Sequence, residues 1–367
     1  MQIGLLTSDL TPHHGWGNYS LNLIESLSNL GHDLTILSAS NSEPLNHSAH
    51  HCVLPTVAPQ EPNFIFRLMF SQPKVSKLLA HCDIIHSTIE FYAPLLQWIS
   101  TKRPTFMTVH GSYVFLPVMR RFPVDWLYKK AFENTYIISV SHYTNEVVKE
   151  VVPQAKASVV MNAIDATQFA DIEHKISTHP IVVTLGGVKG RKGTHHLIEA
   201  IAKVRDHIPD VQCHVFGTVT AEPDYVAFVR QQIADLNLEN TVYLHGFVED
   251  DIVHDWYAKA DVFVLPSISA GYKFEGFGLA TMEASASGLP VIGTYGCGAE
   301  DVIEHGKTGL LVSQDNISVE LSDAILELLN NRDKARQMGL AGRQKAQSRT
   351  WQNIAEEITD LYETALK

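Results

Sequence analysis

The chain is poor in the features that mark several protein classes. Its 367 residues include four cysteines, Cys52, Cys82, Cys213 and Cys297, with no C-x-x-C pair. That spacing argues against a disulfide framework or structural zinc site and fits a reducing cytoplasm. Basic residues are outnumbered, with Lys and Arg totalling 28 against 40 acids, for a net charge of −12. A broad electrostatic nucleic-acid surface is therefore not expected, although a local basic cleft for a phosphorylated molecule remains compatible. There is no apolar run of transmembrane length, and the opening segment has no basic region of a signal peptide. Glycine and proline are too sparse for a low-complexity chain, and no internal repeat is present.

What is present is alternation. Apolar strands are expected at 2–7, 34–37, 84–86, 105–109 and 137–140, with helices at 16–30, 91–100, 124–134 and 143–151 between them. Residues 165–180 are polar, lack periodicity and read as a linker. Strands resume at 181–185, 213–216, 242–244, 262–265 and 291–293. A closing helix begins near Thr350 and carries Trp351, Ile354, Ile358 and Leu361 close to one face. The pattern predicts two consecutive doubly wound α/β domains, whose ligands bind beyond the carboxyl ends of the strands.

Three glycine-marked turns follow strands and open helices. The first is Pro12-His13-His14-Gly15-Trp16-Gly17. It lacks the third glycine of the dinucleotide fingerprint, and no acid ends the second strand, which disfavours a nicotinamide- or flavin-dependent oxidoreductase. The second runs from Gly186 to Gly193 and contains Lys189, Arg191 and Lys192. Clustered cations on a glycine-rich loop suit an anion. The third is Glu275-Gly276-Phe277-Gly278, opening a helix to about residue 287 that carries Glu283. At a rise of about 1.5 Å per residue the two carboxylates are at most about 12 Å apart. That is too far for a retaining glycosidase pair, at about 5–5.5 Å. It suits two acids gripping different ends of one long ligand.

Those residues resemble glycosyltransferase family 4, the retaining transferases of the GT-B fold. The segment from Pro266-Ser267 through Glu275-Gly276-Phe277-Gly278-Leu279 and Glu283-Ala284 to Gly288-Leu289-Pro290-Val291-Ile292 carries the resemblance, supported by His245-Gly246-Phe247-Val248 and Lys192-Gly193. It implies two Rossmann-like domains facing a central cleft: an acceptor-binding domain over 1–170, a donor-binding domain over 171–349, and a helix over 350–367 that crosses back to the first. It also implies a nucleoside diphosphate sugar as substrate, with no cofactor and no metal. Glu283 would bind the ribose hydroxyls, and Glu275 the transferred hexose. The amides of Gly276, Phe277, Gly278 and Leu279 would lie near sugar and phosphate, and Lys192 would neutralise the diphosphate. Phe247 and Val248 would lie near the base, Gly15 and Gly17 near the diphosphate, and His110 near the sugar. The family's arginine after the first strand of the second domain is replaced by Gly187, which leaves Arg191 or Lys189 to supply that charge.

The implied reaction is hexosyl transfer with retention, UDP-hexose being the favoured donor and GDP-mannose the other. The acceptor is a hydroxyl of a saccharide or lipid-linked molecule. The loss at Gly187 keeps open a weakened sugar-nucleotide-binding protein, and the fold a sugar-nucleotide epimerase. Two segments, 63–81 and 101–130, interleave aromatic residues with cations. The second carries Lys102, Arg103, Arg120, Arg121, Lys129 and Lys130 against the single acid Asp125, with Phe115, Leu116, Phe122, Trp126 and Leu127 among them. The first adds Phe64, Phe66, Phe70, Arg67, Lys74 and Lys77. Together they suggest peripheral contact with the inner face of a membrane.

Overall fold

A computed structural model describes residues 1–12, 15–47, 49–57, 63–99, 103–175 and 177–367. The chain divides into two compact units, Met1–Asn162 with Trp351–Lys367, and Ala163–Thr350.

In the first unit the elements are β1 (Gln2–Leu6), α1 (Gly15–Asn29), β2 (Asp33–Ala39), β3 (His50–Leu54), α2 (Phe64–Leu78), β4 (Ile84–Ser87), α3 (Ala93–Ile99), β5 (Thr105–Val109), α4 (Leu116–Met119), α5 (Val124–Asn134), β6 (Tyr136–Ser139), α6 (His142–Val151) and β7 (Ala157–Val159). Among the described residues they form a seven-stranded sheet in the order β3-β2-β1-β4-β5-β6-β7, parallel throughout. The central strands are buried along nearly their whole length because helices cover both faces.

The second unit continues with β8 (Ile181–Leu185), α7 (Thr194–His207), β9 (Gln212–Phe216), α8 (Pro223–Asp235), β10 (Val242–Gly246), α9 (Asp250–Lys259), β11 (Val262–Val264), α10 (Leu279–Ala286), β12 (Val291–Thr294), α11 (Ala299–Val302), β13 (Gly309–Val312), α12 (Ile317–Asn330) and α13 (Arg332–Ser348). Its sheet, six-stranded among the described residues, is also parallel, in the order β10-β9-β8-β11-β12-β13. Each sheet reverses its winding direction once, between β1 and β4 and between β8 and β11, and ligands of such sheets sit at that reversal.

The last helix, α14 (Trp351–Leu366), belongs to the first unit and packs on α1. Ile354, Ile358 and Tyr362 recur at helical spacing and are fully buried. Each apolar side chain so buried stabilises the docked helix by about 1.5–3 kcal/mol. The Tyr362 hydroxyl lies 2.5 Å from Nδ1 of His86 on β4, and the other ring nitrogen of His86 lies 2.9 Å from the Thr108 hydroxyl. His32 adds a second tie, 3.1 Å to Thr359. Burial pushes His86 down to about 3, so its ring is neutral.

Several expectations need correction. The second unit starts at Ala163, where the sequence suggested 171. The first part of the expected linker, 165–169, is ordered and packed. Asp165 caps a 3-10 turn over Ala166–Phe169, and Phe169 is buried against the rings of His254 and Tyr257. Strands β3, β7 and β13 and helix α2 were not anticipated. The helix expected at 91–100 starts with a 3-10 turn at Glu90–Tyr92 and continues as α3. Ser100, Thr101 and Lys102 lie outside the described residues.

Candidate functional site

In the second unit, the loop after β8 and the loop after β11 meet at the reversal point. Gly193 opens α7 at φ 67°, and a Cβ there would fall 1.9 Å from the Pro266 carbonyl oxygen. No side chain fits such an approach, so glycine lets the two loops touch backbone to backbone. The Ile268 amide donates to the Arg191 carbonyl at 2.8 Å and extends that seam. Gly187 has φ 78° with the Thr218 carbonyl against it, so an arginine at this position would be strained.

The seam brings four side chains together. One carboxylate oxygen of Glu275 accepts from Lys192 Nζ at 2.5 Å, Arg191 Nη1 at 3.0 Å and the Ser267 hydroxyl at 3.1 Å. The side chains of Lys192 and Glu275 are only 11% and 12% exposed, so this is a nearly desolvated cluster with Arg191 at its rim. Burial alone would push the Glu275 carboxyl up. The charges of Lys192 and Arg191 and the hydrogen bonds from Lys192 and Ser267 outweigh it and hold the group at about 2. Burial draws the Lys192 ammonium below its ordinary range, while Glu275 opposes that shift.

Gly276, Phe277 and Gly278 lead from Glu275 into α10, with Leu279 its first residue, and Phe277 is buried. Glu283 sits in the second turn of this helix and is paired with no hydrogen-bond donor among the described residues. Burial, reinforced by the charge of Asp250 and partly offset by Lys192, pushes it up to about 7. Phe247 and Val248 follow β10 at the same carboxyl edge of the sheet, Phe247 being 67% exposed. A carboxylate holding two cations, flanked by glycine amides at a helix start and followed by a second, half-neutral carboxyl, is equipped for a ligand with both anionic and hydroxyl groups.

In the first unit, Gly15 is the first residue of α1. Gly17 is buried, and a Cβ there would lie 2.2 Å from the Thr11 carbonyl oxygen. His13 and His14 of this turn lie outside the described residues. His110 follows β5. Its Nε2 donates to the Thr88 carbonyl at 2.7 Å, which leaves Nδ1 as the unprotonated nitrogen, and burial holds the ring at about 4. Its backbone amide donates to Glu90 at 2.6 Å. Glu90 was missed from the sequence. It is fully buried, its other carboxylate oxygen has no partner, and burial raises it to about 7. A single acid inside an apolar stretch gives no periodic signal. Asp250 was also missed, because its importance depends on α9 lying near α10.

The aromatic and basic segments separate on folding. Phe66, Phe70, Phe122 and Trp126 are exposed, whereas Phe64 and Leu116 belong to the core and Phe115 and Leu127 are half-buried. Arg103 is consumed internally, donating to the carbonyls of Leu79 and Cys82. Lys130 is paired with Glu133 at 2.7 Å.

The chain matches the family described as Glycosyl transferases group 1 over residues 165–345, and Glycosyltransferase Family 4 over residues 14–168. A GDP-mannose-dependent alpha-(1-6)-phosphatidylinositol monomannoside mannosyltransferase of Mycobacterium tuberculosis is 31% identical over 313 residues, covering 78% of each chain. Sucrose-phosphate synthase from Thermosynechococcus elongatus superimposes with a TM-score of 0.80 at 23% identity, covering 99% of this chain and 98% of that one. Anabaena HepE in complex with UDP-glucose gives a TM-score of 0.76 at 20% identity, covering 99% of this chain and 100% of that one. Both structures share the GT-B fold. With two family matches running consecutively through both units, and a relative of that identity over more than three quarters of its length, the chain belongs to the GT-B glycosyltransferases of family 4.

Proposed function

We propose that the chain transfers a hexose from a nucleoside diphosphate sugar to a hydroxyl of a saccharide or lipid-linked acceptor, with retention of anomeric configuration. The observation that carries this reading is the cluster of Lys192, Arg191 and Ser267 on Glu275 at the carboxyl ends of β8 and β11. Breaking the anomeric C–O bond places positive charge on the sugar and negative charge on the departing diphosphate. Lys192 and Arg191 meet that negative charge, Arg191 replacing the arginine absent at Gly187, and the amides at the start of α10 add to it. Glu275 faces the hexose, and Glu283 takes the ribose hydroxyls. Phe247 and Val248 flank the base. The family resemblance assigns Gly15 and Gly17 to the diphosphate and His110, whose Nδ1 is unprotonated, to a sugar hydroxyl.

The acceptor oxygen forms the new bond on the face that the diphosphate leaves, and a diphosphate oxygen takes the acceptor's proton. This same-face route needs neither a dedicated base nor a metal. UDP-hexose is the first donor to test. GDP-mannose is the second, favoured by the name of the 31% identical relative. Incubation with UDP-glucose or GDP-mannose and an alkyl glycoside should release the matching diphosphate. Lys192→Ala should lower kcat by about a hundredfold or more. Tight donor binding without turnover would instead identify a binding protein, and an epimerised sugar without transfer an epimerase.

The acceptor side of this reading includes a membrane. Phe66, Phe70, Lys74 and Lys77 fall on one face of α2, and Phe122, Trp126 and Lys129 are exposed on and before α5. Two weak apolar and basic signals together can hold a protein at an anionic bilayer. Among the described residues no helix is long and apolar enough to cross one. Sedimentation with phosphatidylglycerol vesicles should retain the protein, and Phe70→Ser with Trp126→Ser should release it. Equal retention by neutral vesicles would refute the membrane face.

A further inference from the structure

The second unit has an open cavity of about 710 Å³ at the pole of its sheet opposite Glu275. Pro180, Asp261 and Pro290 line it and precede β8, β11 and β12, three neighbours in the sheet. Lys192 and Glu275 follow the other ends of β8 and β11. The cavity is therefore distinct from the proposed donor site.

One wall is a face of α13, where Arg332, Arg336, Leu340 and Arg343 recur at helical spacing. Arg343 is already committed, donating to the carbonyls of Ile172 and Ser287. The side chains of Arg332 and Arg336 are exposed and make no hydrogen bond or close ion pair among the described residues. Arg332 also occupies the first position of α13, where the positive end of the helix dipole disfavours a cation. Its guanidinium thus does nothing for the helix that carries it. The acids at this cavity are Glu173 and Asp261. Asp261 senses Arg332, but its carboxylate already accepts from the Ile181 amide at 2.8 Å.

His174, on the Ser287 carbonyl, and Lys175, 4.0 Å from Asp255, also border it, and the remainder of the lining is apolar. Leu329 and Leu289 contribute to it, and Leu340 is 54% exposed with nothing covering it. Small-molecule sites of this size combine an apolar lining with a few convergent polar groups. Two unpaired guanidiniums add a planar, bidentate preference for phosphate over a simple point charge.

We propose that this cavity binds a soluble phosphomonoester with an apolar body, its phosphate on Arg332 and Arg336 and its apolar part against Leu329 and Leu340. Calorimetric titration of the full chain with hexyl phosphate, inorganic phosphate and hexan-1-ol tests the assignment. Hexyl phosphate should bind at least about tenfold more tightly than either fragment, because both halves of the site are then used. Arg332→Ala with Arg336→Ala should weaken it by about tenfold or more, with an unchanged melting temperature since both side chains are exposed. Saturating UDP or GDP should not displace it. Unaltered binding by the double variant, displacement by either nucleotide, or binding of phosphatidic acid vesicles without binding of the soluble ester would each overturn the proposal.

Discussion

Glu275→Gln separates the two roles of the central cluster. In the parent, a carboxylate only 12% exposed neutralises Lys192 at 2.5 Å and Arg191 at 3.0 Å. Glutamine keeps the volume but removes the charge, leaving two cations side by side. The displacement of Glu275 from 4.5 to about 2 corresponds to roughly 3 kcal/mol of stabilisation in the ionised state. Breaking a buried pair by removing one partner costs a similar amount, about 3–5 kcal/mol. The apparent melting temperature of the second unit should therefore fall by about 6–12 °C. The sign with pH follows from a depressed carboxyl. The stabilisation is present above pH 4.5 and is lost as pH falls through about 2, so the variant should show a flatter acid limb in that window. A nucleoside diphosphate would restore the missing counter-charge. Calorimetry with UDP and GDP should show the cognate diphosphate binding Glu275→Gln about tenfold more tightly than the parent, even as turnover collapses. A variant as stable as the parent, with diphosphate binding no tighter, would refute the idea that Glu275 holds these cations in reserve.

Three further outcomes are expected. Glu283 is raised to about 7, so it is mostly neutral below that pH and accepts hydrogen bonds fully only above it. Donor KM should fall as pH rises through about 7, and Glu283→Gln should abolish that dependence. The same buried carboxyl should make the parent lose stability between pH 4.5 and 7, a loss absent from the variant in urea titrations. Tyr362→Phe removes the hydroxyl that faces His86 at 2.5 Å, stranding a ring nitrogen in the core. Chemical denaturation should show a loss of about 1–3 kcal/mol. Gly193→Ala puts a Cβ against the Pro266 carbonyl at φ 67°, so the β8 and β11 loops must part. Diphosphate affinity should drop with Lys192 displaced, while Gly306→Ala, at a positive φ with open space around it, should lower stability without changing affinity.

Much of the architecture was legible in the chain because buried parallel strands leave short apolar runs between amphipathic helices. Strand β5 and helix α5 coincide with their expected ranges, as does β8. The elements that escaped have physical reasons. β3 begins with two histidines and lies at a sheet edge, where burial demands little of its sequence. α2 carries Pro73 internally and turns aromatic residues outward, which spoils the apolar stripe. The candidate site was legible where its residues are close in sequence, as in Glu275 through Glu283. The convergence of Arg191, Lys192 and Ser267 on Glu275 required the β8–β11 crossover, which no local pattern encodes. Glu90 was invisible because burying a carboxyl with one oxygen left without a partner contradicts the usual rule, and such exceptions gather at functional sites.

The chain leaves its first unit at Asn162 and returns only at Trp351. On a translating ribosome, the groove that will receive Ile354, Ile358 and Tyr362 therefore stays open while the entire second unit is made. His86 has no phenol to meet until Tyr362 has been made. The second unit is contiguous and can complete itself first. The nascent first unit must wait in an unfinished state, offering chaperones an apolar slot that closes only once α14 has emerged.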